Sequence, residues 1–192
     1  VNGNTTFCTG GSVTLVAPPA DNYLWSNGAA TQNITVNTSG NYSVTASLSG
    51  CTGTSIPVTV TVNALPSTTI TASATALCPG ATATLSVPTA ATYLWSNGAN
   101  TPSIATATPG SYSVTVTNAA GCTATSAPVA ITAATVPTVS VTPNGPVSFC
   151  TGGNVVLNST ASAGTTYLWS NGATTPNITA TASGVYFVTV TN

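Results

Sequence analysis

Residues 23–29 read YLWSNGA, and the same seven residues return at 93–99 and 167–173. Three identical heptamers in a chain of 192 residues mean tandem copies, and internal repetition outranks length as a guide to architecture. The tryptophans Trp25, Trp95 and Trp169 are 70 and 74 positions apart, and the cysteines Cys8, Cys78 and Cys150 are 70 and 72 apart. The unit is therefore about 70–74 residues long.

Working outward from the heptamer, each copy keeps one order. A Cys-Gly turn comes first (FCTGG at 7–11, LCPG at 77–80, FCTGG at 149–153), followed by alternating apolar positions: Val13 and Leu15; Ala83, Leu85 and Val87; Val155 and Leu157. A period of two predicts strands. After the heptamer come short alternating stretches around Ile34, Ile104 and Ile178, then SGNYSVTA at 39–46, PGSYSVTV at 109–116 and SGVYFVTV at 183–190. GCTGTSIPVTVTV at 50–62 and GCTATSAPVAITA at 121–133 are each expected to form a closing strand, with Pro57 and Pro128 at an edge or bulge. Seven or so short strands with frequent turns predict an all-β chain of immunoglobulin-like sandwiches. A tryptophan in a middle strand and the tyrosines Tyr42, Tyr112 and Tyr186, each two positions after a glycine, fit a core plug and a tyrosine corner. The expected domains are 1–64, 65–134 and 135–192, joined by short proline-bearing linkers at 64–69 and 133–138. Such linkers predict a semi-rigid array.

Composition narrows function sharply. Lys, Arg and His are absent and Asp21 is the only acidic side chain, so the general acids, bases and metal ligands of most enzymes are missing. The chain is not expected to be an enzyme or to hold a cofactor or metal. Nucleic-acid binding and attraction to anionic membranes both depend on Lys and Arg, so neither partner is expected. A net charge of −1 and a mean hydropathy of +0.37 favour self-association or a coat of sugars. With 41 Thr and 21 Ser, the strands should carry hydroxyl-coated faces. No apolar run approaches the roughly 20 residues of a membrane span, so no insertion is expected in this segment.

The five cysteines fit the repeat frame. Cys8 to Cys51 spans 43 positions and Cys78 to Cys122 spans 44, which places an early and a late cysteine equivalently in each of the first two copies. The expectation is one disulfide per repeat, Cys8–Cys51 and Cys78–Cys122, with a partner for Cys150 near position ~196, beyond Asn192. A metal or redox pair is the alternative, but no CxxC occurs and no histidine is present. Disulfides imply an oxidising compartment. By the same alignment Val1 falls near Pro143, so the first copy should lack its opening strand (compare TVSVTP at 138–143) and the last should lack its closing one. This fits either a stretch of a longer repetitive chain or a filament subunit completed by strand addition from a neighbour.

Trp25, Trp95 and Trp169 could stack on sugars, but the favoured reading is that they fill the cores, each followed by an Asn-Gly type I′ turn. Asn-x-Ser/Thr triplets at Asn4, Asn33, Asn37, Asn41, Asn158 and Asn177 are no more than chance supplies in so hydroxyl-rich a chain. One aspartate cannot build a calcium site, and without lysine no isopeptide bond can form.

CTGGSVTL at 8–15, YLWSNGATTPNIT at 167–179, SGNYSVT at 39–45 and VTNAAGCTAT at 116–125 resemble the immunoglobulin-like and PKD-like repeats of giant surface proteins of Bacteroidota. That group includes gliding-motility adhesins and other cargo of the type IX secretion system. The resemblance covers essentially the whole chain. It implies an extracellular or cell-surface array used for adhesion, motility or matrix. Where PKD domains usually carry a Gly-Asp-Gly loop, this chain has Ser-Asn-Gly at 26–28, 96–98 and 170–172. The leading expectation is a structural segment of an extracellular filament, stalk or adhesin that self-associates into fibres. A repeat that binds surface glycans, and a spacer of a large secreted enzyme, are the competing ones.

Overall fold

A computed structural model describes residues 1–192, and every regular element in it is a strand. Val13–Val16 pairs antiparallel with Asn33–Val36, setting Leu15 opposite Ile34 and Val13 opposite Val36. The buried-exposed alternation along Asn33–Val36 puts Ile34 and Val36 on one face and the polar residues on the other, as a half-buried strand requires. Asn22–Trp25 pairs with Val44–Leu48, which pairs in turn with Cys51–Thr54. A third sheet sets Val58–Asn63 between Thr6–Cys8, to which it runs parallel, and Gly40–Tyr42, to which it runs antiparallel. All three sheets send side chains into one core: Val13, Leu15, Trp25, Ile34, Val36, Tyr42, Val44 and Val60. This is an immunoglobulin-like β-sandwich.

Two of the changes of sheet decide where the later strands lead. Gly40–Tyr42 and Val44–Leu48 lie in different sheets, as do Cys51–Thr54 and Val58–Asn63. The segment expected as one closing strand is thus two, broken at Ser55–Pro57 where proline cannot donate to a ladder. Ser55 secures the break: its N–H donates to Val44 O at 2.9 Å and its hydroxyl accepts from Val44 N at 3.1 Å. Ser126 repeats both bonds to Val114 at the same distances.

The second copy repeats the pattern with Ala83–Ser86 against Ser103–Thr106, Thr92–Trp95 against Val114–Thr117, and Gly110–Tyr112 against Val129–Ala133. It has an opening strand, Thr71–Ala72, beside Leu85 and Ser86. The first copy has only an Asn2–Thr14 bridge there. In the third copy Val155–Ala161 lies between Val139–Pro143 and Asn177–Ala180, and Thr166–Trp169 pairs with Val188–Thr191.

Compact packing groups the residues into two units, Val1–Thr75 with Thr82–Thr132, and Ala76–Ala81 with Ala133–Asn192. The first unit holds the whole first copy and most of the second, because a disulfide and linker hydrogen bonds join those copies. The second unit is the third copy together with the Cys-Gly turn at Cys78.

Candidate functional site

The heptamer forms the same structure three times. Trp25, Trp95 and Trp169 are 5%, 1% and 2% exposed, and each faces a valine across the ladder: Val44, Val114 and Val188. Each indole N–H donates to a backbone oxygen six residues on, Thr31, Thr101 or Thr175, at 2.8–2.9 Å. A buried indole needs that partner. The expected type I′ turn does not form: only Gly28 has a positive φ (85°), and Asn27 does not. Gly28 N donates to Trp25 O, and Trp25 N donates to Ala29 O. This is a right-handed turn closed by a left-handed glycine, a longer loop than the two-residue hairpin. Tyr42, Tyr112 and Tyr186 each donate their hydroxyl to the backbone oxygen four residues upstream, at Thr38, Thr108 and Ala182. Those bonds make tyrosine corners. The lone acid, Asp21, accepts from Ser49 N at 2.8 Å and so braces the one non-glycine residue with positive φ.

The cysteines require a correction. The within-copy pairs Cys8–Cys51 and Cys78–Cys122 do not form; Cys8 bonds to Cys122, across copies, with a Cα–Cα distance of 5.6 Å. Cys51, Cys78 and Cys150 are free and exposed. Strand direction explains the change. Cys8 lies beside Asn63, at the trailing end of the first sandwich where the chain leaves for the second. Gly40–Tyr42 runs the other way, from beside Val60 to beside Val58, and Val44–Leu48 carries the chain on to the leading end before Cys51. Eight strand residues at about 3.3 Å each separate the two ends by roughly 25 Å, whereas bridged Cα atoms must come within about 7 Å. Equal spacing established that the cysteines are equivalent, not that they are adjacent.

The junction between the first two copies is a small built assembly. Cys122 is fully buried, and its backbone N–H, with that of Ala120, donates to Asn118 Oδ1 at 3.0 Å. The amide of Asn118 donates to Ala64 O in the linker at 2.8 Å. Thr9 N donates to Asn63 O at 2.9 Å. Asn118 therefore shapes its own turn and clamps it to the preceding linker, which delivers Cys122 to Cys8.

The same clamp recurs in the second compact unit. Asn192 Nδ2 donates to Thr135 O at 2.9 Å. Ala134 N donates to Leu77 O at 2.8 Å, which holds Cys78 beside that linker. The early turns also match: Gly11 N to Cys8 O, Ala81 N to Cys78 O and Gly153 N to Cys150 O are 2.9–3.0 Å. Asn118 and Asn192 were not singled out from sequence, although VTVTN at 114–118 and 188–192 carried the signal.

A groove of about 770 Å³ runs along the third copy, lined among others by Phe149, Val155, Leu157, Ala180 and Tyr186. These are the counterparts of Phe7, Val13, Leu15, Val36 and Tyr42; the last four share one core cluster with Val60 in the first copy, and Phe7, Val58 and Val62 pack against that cluster. Val60 there is 1% exposed, and Ile131 fills the same place in the second copy. Leu24, Leu94 and Leu168 are exposed at the same place in every copy. No group of three or more His, Cys, Asp or Glu side chains gathers anywhere.

No protein-family model matches the chain, and no curated protein matches it. Among solved structures it is similar to Drosophila OTK, extracellular domains 3–5, at 16% identity and a TM-score of 0.36, covering 97% of this chain and 89% of that one. It is also similar to the N-terminal four Ig domains of Dscam1 isoforms 6.44 and 8.4, at 10% and 12% identity and TM-scores of 0.23, covering 97% of this chain and 67% and 68% of theirs.

Proposed function

We propose that this chain is a structural stretch of an extracellular filament or stalk, built from immunoglobulin-like copies at 1–64, 65–134 and 135–192 that each add length and stiffness. The observation that carries the reading is the Cys8–Cys122 bond, which ties one sandwich to the next rather than stapling either one internally. A bond in that place resists bending and pulling at a linker. Disulfides persist outside the reducing cytosol, which supports an extracellular or cell-surface location. The near absence of charge and the outward Leu24, Leu94 and Leu168 suit side-by-side association of such fibres. The resemblance to repeats of giant Bacteroidota surface proteins, gliding adhesins and type IX cargo among them, fits this role. A glycan-stacking role for the YLWSNG tryptophans is disfavoured, since all three are buried and their indole N–H groups are engaged.

The test is electron microscopy of the native material in negative stain, before and after reduction. Fibres that lose stiffness or fragment in dithiothreitol are expected. Compact, monodisperse particles under both conditions would end the filament reading.

A further inference from the structure

We infer that the second compact unit is an acceptor site for one further closing segment of this same repeat, taking its cysteine at Cys78 and its strand in the groove of the third copy. The inference deepens the filament reading and rests on its premise that copies follow one another. Two independent observations meet here. The first is the clamp. Asn118 on Ala64 O accompanies a closing segment whose cysteine is bonded to Cys8, and Asn192 on Thr135 O repeats that geometry beside Cys78, which is free. Cys122 lies four residues beyond Asn118, so an incoming segment whose cysteine takes the place of Cys122 at this second clamp meets Cys78.

The second observation is the groove. Its walls, Phe149, Val155, Leu157, Ala180 and Tyr186, are the counterparts of residues that share one core cluster with Val60 in the first copy or, like Val58 and Val62, pack against it. There the occupant lies between Thr6–Cys8 and Gly40–Tyr42, hydrogen-bonded to both. In the third copy neither Phe149–Cys150 nor Gly184–Tyr186 is in a ladder, and Phe149 and Phe187 are exposed. The unpaired backbone and the apolar trough are both of the kind that an added strand satisfies. The occupant is thus specified as a segment with the pattern of 118–134: an Asn-led turn, Gly-Cys, a short strand for Val188–Thr191, a Ser-x-Pro break, and an alternating strand with a β-branched residue at the place of Ile131. One segment meets every requirement at once, as 118–134 does between Cys8 and its own sandwich.

Bond formation is an oxidation. The Cys78 thiol and the thiol of the incoming segment join as a disulfide, and two electrons and two protons pass to a small-molecule disulfide, which leaves as two thiols. The polarity is fixed: an early cysteine at the trailing end of one copy bonds a late cysteine at the leading end of the next. By that rule two early cysteines do not pair, so Cys78 and Cys150 do not bond to each other.

The probe is a synthetic peptide of residues 118–134, incubated with the whole chain in a buffer of reduced and oxidised glutathione, alongside a scrambled peptide with its cysteine kept in place. The expected result is attachment of one peptide per chain at Cys78, favoured at least tenfold over Cys51 and Cys150 and lost in Cys78→Ala. The same peptide with its cysteine replaced by serine should slow amide exchange at Phe149–Cys150 and Gly184–Tyr186. Equal labelling of the three free cysteines, equal performance by the scrambled peptide, or unchanged exchange in the groove would overturn the proposal. Native fibres seen by microscopy alongside any of these failures would leave the filament reading standing, so the two can fail separately.

Discussion

Replacing Cys122 by alanine removes the bond that closes a loop of 114 residues between Cys8 and Cys122. In the loop-entropy treatment such a closure is worth about 5 kcal/mol. With a guanidinium slope of roughly 3 kcal/mol per molar for a unit of this size, the unfolding midpoint should fall by about 1.5 M. Equilibrium denaturation followed by tryptophan fluorescence reads this directly, because Trp25 and Trp95 sit in the two sandwiches that the bond joins. Cys8→Ala and the double variant should match Cys122→Ala within about 0.3 M, since each removes the same bond and nothing is left to add. Cys51→Ala should leave the midpoint where it was. A drop in Cys51→Ala equal to that in Cys8→Ala would restore the within-copy pairing and refute the argument from strand direction.

Trp95→Ala empties a nearly fully buried site and strands Thr101 O; a loss of about 3–5 kcal/mol is expected by denaturation. Tyr112→Phe deletes the hydroxyl that donates to Thr108 O and sits 2.7 Å from Thr106 Oγ1, and should cost about 1–3 kcal/mol. The same change at Tyr186, whose hydroxyl is exposed and has the backbone bond alone, should cost less than half as much. Gly98→Ala forces a side chain into φ +86° with open space around it, so its cost is purely conformational, about 1–2 kcal/mol, with no change in crosslinking. Asn118→Ala should slow formation of Cys8–Cys122 during oxidative refolding, monitored by quenched gel samples, because Asn118 holds the turn that presents Cys122.

Much of the fold could be read from the chain because repetition removed ambiguity. Period-two patterns around Leu15, Leu85 and Leu157 fall on strands, the tryptophans take the same buried strand position in every copy, and Tyr42 and Tyr112 share one too, whereas Tyr186 lies outside any strand and is only half-buried. What escaped was whatever depends on which end of a sandwich a residue reaches. The break at Ser55–Pro57 and the sheet change at Ser43 set that direction, and neither shows in alternation alone. Hence Cys8 and Cys51 looked like a pair in the repeat frame while lying at opposite ends. Spacing also pointed to a type I′ turn at Asn27–Gly28, but the indole bond to Thr31 fits a longer loop in which only the glycine is left-handed. The Asn118 clamp escaped because the first copy has Leu48 in its place, which hid a feature that only the later copies hold.

The most direct test of cross-copy bonding is mass spectrometry of the unreduced chain. Chymotrypsin suits it, since a chain without Lys or Arg gives trypsin nothing to cut, and cleavage after Phe7, Leu48, Leu77, Tyr112 and Phe149 puts each cysteine on its own fragment. A fragment joining Cys8 to Cys122 is the result expected. Fragments joining Cys8 to Cys51 and Cys78 to Cys122 instead would contradict the account at its root.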